Sequence, residues 1–143
     1  MTLQPAYVAT ALKELDAVLE TLKNQRGVAG GQLRSDVQRR WIVERGLEVA
    51  CGLLFDLLNH LLASELAAYP ETYEDSLRQA GERGVLSPAT YAGLRGLGHF
   101  RNILAHGYVR IDHDKVAANL NAVLEVFPEA MREIRAWADA RAV

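Results

Sequence analysis

Apolar residues recur along this chain at steps of three and four, and no segment alternates polar and apolar residues for long enough to anchor a sheet. That periodicity turns one face of each segment toward a common core. It predicts an all-α fold, an up-and-down antiparallel bundle of four to six helices. With 143 residues, half of them hydrophobic, the chain is read as one helical domain over 1–143 with a sizeable core. A net charge of −2 gives no global pull toward nucleic acid or an anionic membrane. Any RNA contact must therefore come from a local cluster or from a surface built by two subunits.

The helix signals can be placed along the chain. A first helix is expected from Pro5 to about Gln25, with Val8, Leu12, Leu15, Val18, Leu19 and Leu22 on one face. Gly27, Gly30 and Gly31 mark a break. Ser35-Asp36-Val37-Gln38 then reads as a capping box opening a long helix that ends near Leu66. A short helix over Glu71–Ala80 follows Pro70. Ser87-Pro88 opens another that should run to Gly107, with Gly107 as a left-handed terminus. Asp112 or Asp114 caps the last region, which Pro128 is expected to kink or split.

Several classes are disfavoured. The single cysteine, Cys51, sits in an apolar run and has no intrachain disulfide partner, which reads as a small core residue in a reducing cytoplasm. The first residues lack the basic and apolar blocks of a signal peptide. The longest apolar stretch, Ala50 to Leu62, is shorter than the ~20 residues a bilayer needs and carries Asp56, Asn59 and His60, so no membrane is expected. His99, His106 and His113 are evenly spaced, but a glycine break separates the last two and no acidic residue follows at a metal-ligand offset. No metal or cofactor is expected.

Two constellations remain. On the long helix, Arg45, Glu48, Gly52, Asp56 and Asn59 or His60 form a polar stripe opposite a leucine-rich face. The stripe either faces solvent or, if this helix is central, needs partners. In that case Asp56 or Glu48 facing Arg101 would orient the guanidinium, while His60 fits a structural hydrogen bond. The second constellation is Arg101-Asn102-Ile103-Leu104-Ala105-His106-Gly107-Tyr108. Arginine matches phosphate oxygens, histidine exchanges a proton near neutral pH, and a tyrosine hydroxyl accepts a transferred group. Taken singly, Arg101 and His106 also suit the negative end of a helix, and Tyr108 suits a buried anchor. A five-residue step puts two side chains about 140° apart on a helix. Catalysis by both groups therefore calls for a dimer or a local deviation at the helix end.

The arginine, the polar residue after it, the histidine at this spacing and the tyrosine two positions on resemble the signature of HEPN domains of the HepT type. The resemblance extends over Arg39–Glu44, Asp56–His60, Pro70–Tyr73, Gly84–Pro88, Gly98–Arg101 and Ile111-Asp112. Gly107 departs from it, since many members carry an acidic residue there. The resemblance implies a homodimeric HEPN-like bundle acting as a metal-independent endoribonuclease on an RNA substrate. Arg101, Asn102 and His106 would be catalytic. A minimal nucleotidyltransferase antitoxin, using ATP and magnesium, would adenylylate Tyr108. A noncatalytic nucleotide-binding or nucleotidyltransferase-binding module and a purely structural helical dimer are the alternatives.

Overall fold

The computed structural model describes residues 2–107 and 109–141. Among these residues the chain forms seven helices: α1 (Pro5–Lys23), α2 (Gly30–Ser35), α3 (Val37–Leu66), α4 (Tyr73–Glu82), α5 (Pro88–Leu94), α6 (Leu97–His106) and α7 (His113–Asp139). The all-α expectation holds. The long helices α1, α3 and α7 pack on one another, and the short ones complete the bundle around them.

α3 is the hub, in contact with α1, α2, α4, α6 and α7. Leu47, Cys51, Leu54, Phe55, Leu57, Leu58, Leu61 and Leu62 on it are fully buried. Each large apolar side chain so buried stabilises the fold by about 1.5–3 kcal/mol. α3 is also long and apolar enough to span a bilayer by length and composition, but here that apolar surface faces the other helices. The helix starts at Asp36, whose carboxylate accepts the Arg39 N–H at 3.1 Å, and ends at Ala67 in the left-handed region, φ 49°.

Four sequence expectations are corrected. The glycine-rich break contains α2, because Leu33 is fully buried and anchors this turn against α3 and α7. Ser35 therefore ends α2, and the cap of α3 moves one residue to Asp36. The helix expected over 88–107 is two helices, since Gly96 adopts φ 86° and donates its N–H to Glu74, which turns α6 away from α5. Pro128 does not split α7: its ring is exposed, while Phe127 and Ala130 on either side are buried and hold both halves to the core. The Ser87-Pro88 start appears as expected, and the Ser87 hydroxyl accepts the Thr90 N–H. Glu133 of α7 ties this cap down by accepting from the Ser87 N–H and the Thr90 hydroxyl, each at 2.6 Å.

Gly30 marks where α2 meets the start of α7. A β-carbon there would lie 2.8 Å from the Asp114 backbone nitrogen, whereas one on Gly31 meets nothing within 4 Å. Gly30→Ala should therefore lower stability by about 1–3 kcal/mol through overpacking. Gly31→Ala should leave it unchanged or raise it by about 0.5–1 kcal/mol. Urea unfolding of the two variants against wild type checks the contrast.

Candidate functional site

α6 owes its position to Gly98. A β-carbon at Gly98 would fall 2.5 Å from the Tyr73 β-carbon, so only glycine lets the helix lie this close to the start of α4. One turn further on the same face stands Arg101. Its guanidinium carbon lies 5.4 Å from the centroid of the Tyr73 ring, and that ring stacks on Phe55 of α3 at 4.5 Å and 26°. Ring, ring and guanidinium thus form one layered support, in which the cation–π contact contributes about 0.5–2 kcal/mol.

The guanidinium is held without being neutralised. Arg101 Nε is buried and has no hydrogen-bond partner among the described residues. A desolvated donor of this kind costs about 1–3 kcal/mol until an acceptor reaches it. Neither carboxylate of the stripe supplies one. Glu48 pairs with Arg45 on its own helix at 3.4 Å, and Asp56 is exposed beside Tyr7. For Asp56 the reason is angular. Arg101 lies over the α3 face of Cys51 and Phe55, and Asp56, the next residue, projects about 100° further round the helix. Cys51 meanwhile is sealed in the core, and burial pushes its thiol up to about 12, with Arg101 a smaller opposing influence.

Asn102 is exposed and faces a cavity of about 390 Å³ lined by Asn59, Thr72, Tyr73 and Ser76. His106 is exposed at the last residue of α6. Because α6 is regular from Leu97 to His106, the angular offset between Arg101 and His106 stands, and this chain alone does not bring the two side chains together. Gly107 is not left-handed, with φ −103°. It accommodates instead a close approach, since a β-carbon would sit 3.0 Å from the Ile103 carbonyl oxygen that accepts the Gly107 N–H. Tyr108 lies outside the described residues.

Sequence reasoning missed a second pair near the motif. Glu44 Oε1 and His113 Nδ1 are 3.9 Å apart, both buried and both without a hydrogen bond among the described residues. Burial raises the Glu44 carboxyl above its usual range, offset in part by Arg40 and His113. The pair sets the start of α7 beside α3. Tyr73 was missed as well, although the glycine at 98 was a signal that something packs closely there. Among the described residues no group of three or more His, Cys, Asp or Glu is placed to hold a metal ion.

His60 takes the structural part expected of it. Its Nε2 accepts the Gln4 N–H at 3.1 Å, just ahead of α1, and its ring lies 4.8 Å from that of Tyr7. An acceptor Nε2 requires neutral imidazole, and burial lowers the His60 pKa below its ordinary value. The unfolded chain then takes up the proton first as pH falls. The His60 contribution should be complete well above pH 6.5, the ordinary value, and be lost on acidification through the lowered one. Thermal unfolding of wild type and His60→Gln across pH 7.5 to 5 should show a steeper loss of melting temperature in wild type; parallel curves would contradict the assignment.

Comparison with known proteins places this geometry. The family described as "Ribonuclease HepT-like" matches residues 10–134. Among solved structures, the chain is similar to a tri-AMPylated Shewanella oneidensis HEPN toxin in complex with MNT antitoxin, at 20% identity and a TM-score of 0.81, covering 93% of this chain and 99% of that one. It is also similar to a toxin–antitoxin crystallised with AMP-PNP, at 18% identity and a TM-score of 0.79, covering 92% of this chain and 99% of that one. A mutant MntA–HpeT toxin–antitoxin gives 20% identity and a TM-score of 0.78 over 92% of this chain and 98% of that one. No curated protein matches the sequence. At these identities the structural likeness establishes the shared HEPN fold, while the family match spans Arg101 through His106. The chain belongs to the HepT-like ribonuclease family.

Proposed function

We propose that this chain is the ribonuclease toxin of a HEPN and nucleotidyltransferase toxin–antitoxin pair. It cuts cytoplasmic RNA without a metal at a site completed by a second copy of the chain, and adenylylation of Tyr108 silences it. The observation that carries the reading is Arg101, a half-buried guanidinium fixed over Tyr73 that pairs with no carboxylate among the described residues. A phosphate oxygen is a matched acceptor for that fork.

The chemistry follows from residue types and placement. The His106 imidazole takes the proton of a ribose 2′-hydroxyl, the 2′-oxygen bonds to phosphorus, and the bond from phosphorus to the 5′-oxygen breaks. The leaving oxygen receives a proton from an acid, for which a second copy of His106 is suited. Arg101 stabilises charge growing on the nonbridging oxygens. Asn102, four residues before His106 and also exposed, shares its helix face and is placed to orient the imidazole or donate to phosphate. The internal nucleophile makes a metal-bound water unnecessary. Because Arg101 and His106 diverge on one helix, a homodimer that pools two copies of each supplies the convergence.

Tyr108 follows His106 by two residues, so an adenylyl group on its hydroxyl would add bulk and negative charge beside the phosphate site. The similar Shewanella oneidensis toxin is itself AMPylated and bound to an MNT antitoxin, which supports the same arrangement here.

Arg101→Ala and His106→Ala should each lower RNA cleavage by about 10²–10⁴-fold, with wild-type activity unaffected by EDTA and products ending in 2′,3′-cyclic phosphate. Linear 3′-hydroxyl ends that require magnesium would overturn the mechanism. Binding of the antitoxin by an uncleaving wild type would favour a noncatalytic module.

Incubation with a minimal nucleotidyltransferase, ATP and magnesium should add AMP, detected by intact mass, and abolish cleavage. Tyr108→Phe should remove the adduct. An adduct that survives this substitution would refute the assignment.

A further inference from the structure

The cavity at Asn102 has a neighbour. Asn59 and Pro70 line it, and the same two residues line a second cavity of about 410 Å³ between α1, α3 and the turn before α4. This second cavity is walled by Tyr7, Asp56, His60 and Tyr69. Tyr69 is 68% exposed and Tyr7 38%, so two aromatic rings border an open, unfilled space. His60 is already committed to the Gln4 N–H and packs on Tyr7, which makes that side of the wall rigid.

The uncommitted groups are Asp56 and the amide nitrogen of Asn59. Asp56 accepts no side-chain or backbone hydrogen bond among the described residues, and its charge is felt at the Tyr7 hydroxyl, whose pKa is raised by burial first and by Asp56 second. Asn59 Oδ1 accepts the Ser76 hydroxyl at 2.7 Å, which turns Nδ2 outward as a donor. Asp56 and Asn59 stand three residues apart and hence side by side on α3. Together they offer one donor followed by two acceptors.

That order selects a base. Guanine presents O6, N1–H and N2–H in sequence along its pairing edge, an acceptor followed by two donors. Adenine and cytosine turn a ring-nitrogen acceptor toward the carboxylate, and uracil places only one donor between two acceptors. Single-stranded RNA is read in this way, by stacking a splayed base on an aromatic ring and hydrogen bonding its edge. We propose that the cavity of Tyr7, Asp56, Asn59 and Tyr69 is a guanine-binding subsite, which seats a guanosine of the RNA next to the phosphate held at Arg101. The proposal rests on the ribonuclease reading for its RNA context, but the nucleotide preference is a property of the cavity itself.

Two measurements separate the claims. In the first, the full chain is titrated with GMP, AMP, CMP and UMP and followed by NMR. GMP should bind about tenfold or more tightly than the others, Tyr69→Ala should weaken it by about 10–100-fold, and Asp56→Asn should abolish the preference for GMP. Both side chains are exposed, and matching thermal unfolding of the variants confirms that they fold. Equal affinities, tighter AMP, or a GMP preference that survives Asp56→Asn would overturn the subsite. In the second, RNAs carrying a single guanosine, or inosine, adenosine, cytidine or uridine in its place, are offered for cleavage. Cutting beside guanosine, weakened for inosine and weaker still for the rest, supports the proposal. Cutting without base preference overturns the subsite while leaving the ribonuclease reading intact. Selective GMP binding with no cleavage of any RNA does the reverse.

Discussion

The close approach of α6 to α4, permitted by the missing side chain at Gly98, is the contact on which the site depends. It seats Tyr73 between Phe55 and Arg101, so the position of the guanidinium is inherited from the leucine-rich core of α3 through two stacked rings. A loop would hold the guanidinium with far less definition. Here the cation sits on three packed helices, and its only freedom is at the exposed end of the fork. Its Nε end is buried against the protein without a hydrogen-bond partner among the described residues.

The same economy governs the ends of the motif. α6 begins where Gly96 reverses the chain and Glu74 takes its N–H, and ends at Gly107, where the chain passes within contact of the Ile103 carbonyl. Beyond the loop, Asp112 caps α7 by accepting from the Asp114 and Lys115 backbone, and His113 leans toward Glu44 of α3. Both ends of the segment carrying Arg101, Asn102 and His106 are thus tied to helices of the core. The proposed two-copy site would gain from this, because each half would be held in a fixed geometry before the halves meet.

Much of the architecture was readable in advance because it rests on local rules. The start of α1, the end of α3, the start at Ser87-Pro88 and the apolar face of α7 follow from periodicity and capping, which a sequence displays directly. What misled were residues whose meaning is set by neighbours distant in sequence. Pro128 reads as a break but is harmless on an exposed face, and the glycines at 27–31 read as a loop although Leu33 anchors a turn of helix among them. Glu48 and Asp56 were eligible partners for Arg101 by charge alone. Asp56 is turned toward solvent on α3, and Glu48 pairs with Arg45 on its own helix.

By itself the sequence determined the helical class, the central leucine-rich helix and the arginine, asparagine and histidine spacing that marks the family, since each is a matter of residue type at fixed local distance. Tertiary structure alone decided that Arg101 rests on Tyr73 with an unmet donor, that His60 caps the approach to α1, and that Asn59 and Asp56 edge a cavity that shares Asn59 and Pro70 with that of Asn102. The reason is physical: a side chain's covalent character travels with the sequence, whereas its desolvation and its partners depend on which other helix is packed against it.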